Sequence, residues 1–173
     1  VRNIVFKATG VDAVTAAVNI TGADVRIDGC EFELADATNQ AALGILTAAT
    51  ATRLVVENCY FHGTTDAGTA AAIRHAAGND ATIRHCTFYG AYTTTLGAID
   101  NSAAVTGFHV HDCRITNATA SAAKAMVWHA STTGLFADLR MGVLTGTAPI
   151  AAAAGTNGGG SYYSAGAGVT AAT

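Results

Sequence analysis

An all-β parallel solenoid, with three short strands per coil and about six coils of 26–29 residues, is the fold this sequence predicts. Three observations predict it. Cysteine recurs as Cys30, Cys59, Cys86 and Cys113, at steps of 29, 27 and 27 residues. Around each cysteine, apolar and polar residues alternate with the period of two that marks a strand with one face buried. A separate apolar series, Val18, Ile45, Ile73, Ile99 and Val127, keeps nearly the same period, with steps of 27, 28, 26 and 28.

The four cysteine segments, Val25 to Phe32, Leu54 to Phe61, Ala81 to Phe88 and Phe108 to Ile115, align without a gap. Each reads apolar, any, apolar, two polar or glycine, Cys, any, then aromatic or aliphatic. The register continues to Ile4 and Phe6 before them and to Leu139 and Met141 after them, each at a step of 26. The alternation slips by one residue at the polar pair, so that pair is a two-residue corner joining two short strands. Its second position reads Asn3, Gly29, Asn58, His85, Asp112 and Asp138. Gly, Asn, Asp and His are the residues enriched at left-handed backbone angles, which suits a sharp αL corner.

The strand centred on the Val18 to Val127 series closes each coil. Connections leaving the cysteine strand, Asp36 to Gln40 and Thr64 to Thr69, vary in length and are expected to project sideways. The clearest corners, Asn58-Cys59-Tyr60-Phe61 and His85-Cys86-Thr87-Phe88, together with the stacked Ile, Val and Phe columns, resemble the right-handed parallel β-helix superfamily. That superfamily includes pectate lyases, polygalacturonases and many phage tailspikes and virion proteins. The resemblance covers residues 1–141 and implies the right-handed sense of the coil. It implies little about activity, because such a fold hosts many functions.

Charged residues make up 12% of the chain, about half the share typical of globular domains, and the net charge is −3. Neither nucleic acid nor an anionic membrane is an expected partner, since neither finds a basic footprint here. No apolar run reaches the roughly 18 residues of a membrane span, and the beginning lacks the layout of a signal peptide. The chain opens on Val1 rather than Met, as a processed, trimmed or partial chain does. The first coil starts without a cap, so further sequence or a partner is expected to cover that end. No cofactor is expected. Parallel in-register side chains hold Cβ atoms farther apart than a disulfide prefers, so the cysteine column is expected to be a buried ladder of free thiols without a metal.

The candidate surface lies on the third strand. After its central aliphatic residue come Asn19, Leu46, Arg74, Asp100 and Trp128, expected to face outward, and then Ile20, Thr47, His75, Asn101 and His129. In the enzymes this chain resembles, the corresponding strand face often holds the polysaccharide groove. There Trp128 would stack on a sugar ring while Arg74 and Asp100 make polar contacts, and in a catalytic version Asp100, Arg74 and His129 would carry the chemistry. The competing expectation is that Arg74 and Asp100, one coil apart, simply form a cross-strand ion pair. A glycosidase needs two carboxylates about 5 to 9.5 Å apart. Asp100 has no acidic neighbour in its column, and Asp28 and Glu57, which do stack, are expected to be solvated corner residues. His85, His109 and His111 could form a weak metal-binding or pH-sensitive patch, or simply lie on the surface.

From Met141 to Thr173 no residue is charged. Residues 142–173 are therefore expected to form a Gly/Ala-rich segment that packs on the 1–141 solenoid or on a neighbouring chain. Combined with the missing carboxylate constellation, this favours a non-catalytic structural or adhesive protein. By resemblance it would be an oligomeric phage virion component, such as a head decoration, fibre or tailspike-like protein, located in the virion or extracellularly. Its partners would be copies of itself, other virion proteins or a polysaccharide. The alternative is a polysaccharide-binding or polysaccharide-degrading β-helix, a lyase or glycosidase.

Overall fold

In the computed structural model the polar corner has the left-handed geometry its composition suggests: φ is 54° at Asn3, 63° at Gly29, 54° at Asn58, 52° at His85 and Asp112, and 50° at Asp138. The structure describes residues 1–8, 14–35, 41–63, 69–92, 96–101, 103–118, 124–129, 131–143, 150–152, 157–159 and 162–165. Of the expected sideways loops, 36–40 and all of 64–69 but Thr69 lie outside the described residues, and Thr69 makes an isolated parallel bridge to Tyr92.

The chain opens with β1 (Val5–Lys7), followed by the trio β2 (Val14–Ile20), β3 (Arg26–Asp28) and β4 (Glu31–Ala35). The trio recurs as β5 (Ala41–Thr47), β6 (Val55–Glu57) and β7 (Tyr60–Gly63), then β8 (Ala71–His75), β9 (Thr82–Arg84) and β10 (Thr87–Gly90). It recurs again as β11 (Ile99–Asn101), β12 (Phe108–His111) and β13 (Arg114–Asn117), then β14 (Met126–Trp128), β15 (Thr133–Ala137) and β16 (Leu139–Val143). Last come β17 (Ile150–Ala152), β18 (Asn157–Gly159) and β19 (Tyr162–Ala165), whose backbones pair with β14, β15 and β16.

Each strand pairs in parallel with the strand three places later, which gives three stacked sheets. The strand after the corner builds a seven-stranded sheet from β1 to β19, and the other two sheets have six strands each. This is an all-β solenoid with three strands per coil. Its interior is a set of columns. Phe6, Phe32, Phe61 and Phe88 stack with centroids 4.7, 4.4 and 4.9 Å apart, one strand spacing per ring. Ile27, Val56, Ile83 and Val110 form a second column in direct register, fully buried.

The four cysteines are free and buried. Each thiol donates across the corner to the carbonyl two residues back: Cys59 to Glu57 and Cys86 to Arg84 at 3.1 Å, Cys113 to His111 at 3.2 Å, and Cys30 to Asp28 at 3.6 Å. Several of these carbonyls also accept the αL N–H of the coil before, as Glu57 does from Gly29 at 3.1 Å and Arg84 from Asn58 at 3.3 Å. Cysteine thus fits the inside of a tight bend, where it is small, apolar and still able to donate weakly.

A second left-handed column, absent from the sequence expectations, runs through Asp24, Arg53, Asp80 and Gly107, with φ of 59°, 55°, 59° and 71°. It turns the chain into the strand ahead of each cysteine corner. Arg53 is an unusual αL residue, and its guanidinium is tied to Asp24 by a two-pronged contact at 2.6 and 2.7 Å. At Gly107 a Cβ would lie 2.5 Å from Asp80 Oδ1, so the close approach as well as the φ favours glycine.

Candidate functional site

The face centred on Asp100 differs from its expected form in two respects, the burial of Asp100 itself and the register of Trp128. Ile99 pairs with Met126, and Asp100 with Val127, so the sequence register for the last of these strands is one residue out. Trp128 therefore shares the inward column of His75 and Asn101 and is 1% exposed. Its indole packs on Phe108 and Phe136, with centroids 5.2 and 5.4 Å away. The expectation that Trp128 faces outward is corrected: the largest apolar side chain of the chain goes into the core, which shifts the strand by one. His129 then begins a local turn, where its Nδ1 accepts the Ser131 N–H at 3.1 Å.

Arg74 and Asp100 are brought together, with Nε 3.3 Å from Oδ2. The Asp100 side chain is 2% exposed and that of Arg74 40%, so the guanidinium has a solvent-facing side and the carboxylate does not. The column beside Asp100 holds Arg74 on one flank and Val127 on the other, which leaves no second carboxylate in register. Beneath this face, Thr47, His75, Asn101 and Thr132 form a buried polar row. His75 Nδ1 lies 3.2 Å from Thr47 Oγ1 and Nε2 lies 2.7 Å from the Gly78 carbonyl, while Thr132 donates to Asn101 Oδ1 at 2.6 Å. Burial pushes the His75 imidazole below its ordinary pKa, against the opposing pull of the Gly78 carbonyl.

Acidic side chains elsewhere join one coil to the next. Asp28 and Glu57 are in register, as the repeat suggests, but Glu57 is buried rather than solvated. It sits between Arg26 and Arg84, with the Arg84 contact at 2.7 Å. The Asn58 amide, donating at 2.9 Å, and then Arg2 and Arg26 hold the Asp28 carboxyl below the usual range. Asp24 pairs with Arg53, Glu33 with Lys7, and Glu31 with His62. Asp112 lies 2.7 Å from His111 and 3.7 Å from His85 and is likewise lowered, chiefly by the His111 hydrogen bond. Of the nine described carboxylates, only Asp80 and Asp138 have no ion pair. A groove of about 430 Å³ opens beside the corner column, lined by His85, Thr87, Asp112, Arg114, Asp138 and Arg140 together with Cys86 and Cys113.

The chain matches the family described as the right-handed β-helix region over residues 3–135. It belongs to that family. No curated protein and no solved structure matches it significantly.

As a right-handed β-helix, the chain presents long ladders of side chains at one-strand spacing, and its chemistry depends on what each ladder carries. The Arg74–Asp100 ladder carries a charge-compensated pair. Among the described residues no group of three or more His, Cys, Asp or Glu side chains could hold a metal ion. The groove at His85 was not anticipated from sequence. The signal for it was there, since Arg114 and Arg140 sit one position after Cys113 and Leu139, in equivalent outward places of neighbouring coils.

Proposed function

We propose that this β-helix is a non-catalytic structural or adhesive protein that acts within an oligomeric assembly, as a phage virion component of the head-decoration, fibre or tailspike-like kind. The observation that carries the reading is that seven of the nine described carboxylates are engaged in ion pairs, most of them between coils, with Asp100, the acid at the centre of the candidate face, enclosed beneath Arg74. General acid-base work needs a carboxyl that can reach the proton it moves, and glycoside hydrolysis needs two. The uncharged stretch from Met141 to Thr173 supports the assembly part, because a sequence without charge suits burial in a contact with another protein. The phage assignment rests on the resemblance of the chain to virion β-helices.

Incubation with acidic and neutral polysaccharides, followed by assay for new reducing ends and unsaturated products, tests the reading. No turnover is expected. Turnover that is lost in Asp100→Asn would overturn it in favour of a lyase or glycosidase.

A further inference from the structure

We propose that the groove beside the corner column is a binding site for a tetrahedral oxyanion, the phosphate or sulfate ester group of a ligand, held by Arg114 and Arg140. The two arginines are direct register partners on β13 and β16, and both are exposed. Parallel neighbours stand about 4.8 Å apart, and like charges placed directly opposite one another are destabilising.

Every other arginine of the chain meets a carboxylate: Arg2 with Asp28, Arg26 and Arg84 with Glu57, Arg53 with Asp24, and Arg74 with Asp100. Arg114 and Arg140 have no ion pair with a described carboxylate. They break the rule of charge compensation together, in adjacent coils, beside a groove of about 430 Å³. An anion seated between them would give both guanidinium groups the direct partner that Asp112 and Asp138, in the same lining, do not.

The donor set selects the kind of anion. A guanidinium presents a planar fork of N–H groups, and one fork is enough for the two oxygens of a carboxylate. Two forks stacked at strand spacing approach from different levels and suit the three terminal oxygens of a phosphate or sulfate ester. Thr87, in register with Arg114, adds a hydroxyl to the lining, and His85 adds an imidazole on the neighbouring corner. Of the two carboxylates in the lining, Asp112 is already hydrogen-bonded to His111, whereas Asp138 has no ion pair on its αL corner. Asp138 opposes the anion and sets a limit on affinity.

Titration calorimetry with inorganic phosphate, inorganic sulfate and acetate as separate probes, in low-chloride buffer, tests the site. Saturable binding of phosphate, sulfate or both is expected below about 10 mM. Whichever binds more tightly identifies the ester, and acetate should bind more weakly than either. Arg114→Gln and Arg140→Gln should each weaken binding roughly tenfold, the scale of one charge-assisted hydrogen-bond pair, and Asp138→Asn should tighten it. Because both arginines are exposed, each Gln variant should fold and, without anion, unfold at an equal or higher temperature than the parent. Absence of binding by both phosphate and sulfate, affinity unchanged in both arginine variants, acetate binding as tightly as phosphate, or weaker binding in Asp138→Asn would each overturn the proposal.

Discussion

The Cys86 thiol donates to the Arg84 carbonyl at 3.1 Å, across the left-handed residue His85 that bends the chain between them. The same contact at Cys59 and Cys113 makes the cysteine column part of the corner. The neighbouring thiol of the ladder, Cys86 beside Cys59 and Cys113 beside Cys86, and then burial push the Cys59 and Cys86 thiols far above their ordinary pKa. The native protein should therefore resist alkylation by iodoacetamide at pH 8.5, while all four thiols react once it is unfolded in guanidinium. Intact-mass spectrometry counts the adducts, and rapid labelling of native protein would contradict this role.

The corner geometry predicts an order of stability at Asn58. Asn58→Ala places a Cβ-bearing residue without a polar side chain at φ 54° and removes the bond to Asp28, for a cost of about 1–2 kcal/mol. Asn58→Gly should cost less, because only the hydrogen bond is lost. Urea unfolding of both variants checks the order.

Trp128 should behave as a core residue. Trp128→Ala is expected to cost about 3–5 kcal/mol of stability, from the lost packing on Phe108 and Phe136. As the chain's single tryptophan it should emit at short wavelength in the native protein and be poorly quenched by acrylamide. Long-wavelength emission that shifts on adding a glycan would restore the outward platform.

Removing the buried acid should be costly as well. Glu57→Gln leaves Arg26 and Arg84 facing a neutral side chain, and a loss of about 2 kcal/mol is expected. That is below the usual figure for a buried pair, because both guanidinium groups are partly in water.

Acid should weaken the fold through His75. Its folded pKa lies below its unfolded value near 6.5, so the unfolded chain takes up the proton first as pH falls. Stability is fully present above pH 6.5 and declines as pH drops through the folded pKa. In His75→Gln this part of the decline should vanish, leaving a flatter profile of unfolding temperature below pH 6.5. An unchanged profile would count against a neutral, buried His75.

The fold was legible because its strongest constraint is chemical and repeats. Only Asn, Asp, His or Gly readily makes the left-handed bend, and only a small apolar donor fits inside it, so the pair marks each coil. The second bend was hidden because Arg53 occupies a place that Asp24, Asp80 and Gly107 would otherwise have revealed. Trp128 was misplaced because Met126 and Val127 are both apolar and alternation alone cannot choose between them. The ring contacts that decide the matter come from Phe108 and Phe136, on the next face of the coil. The Arg74–Asp100 pairing could be read from a step of 26 residues. The burial of Asp100 could not, since outward positions on a solenoid are exposed by default. His75 and Asn101 break the apolar column for a similar reason: the Gly78 and Ala103 carbonyls that satisfy them lie in turns whose position only the folded chain fixes.

The mass of the protein in solution, measured by light scattering at micromolar concentration, tests the assembly role most directly. A chain of 17.3 kDa that functions as a structural building block should have a mass that is a whole-number multiple, two or greater, of that value. A stable species of 17.3 kDa across the concentration range would contradict it.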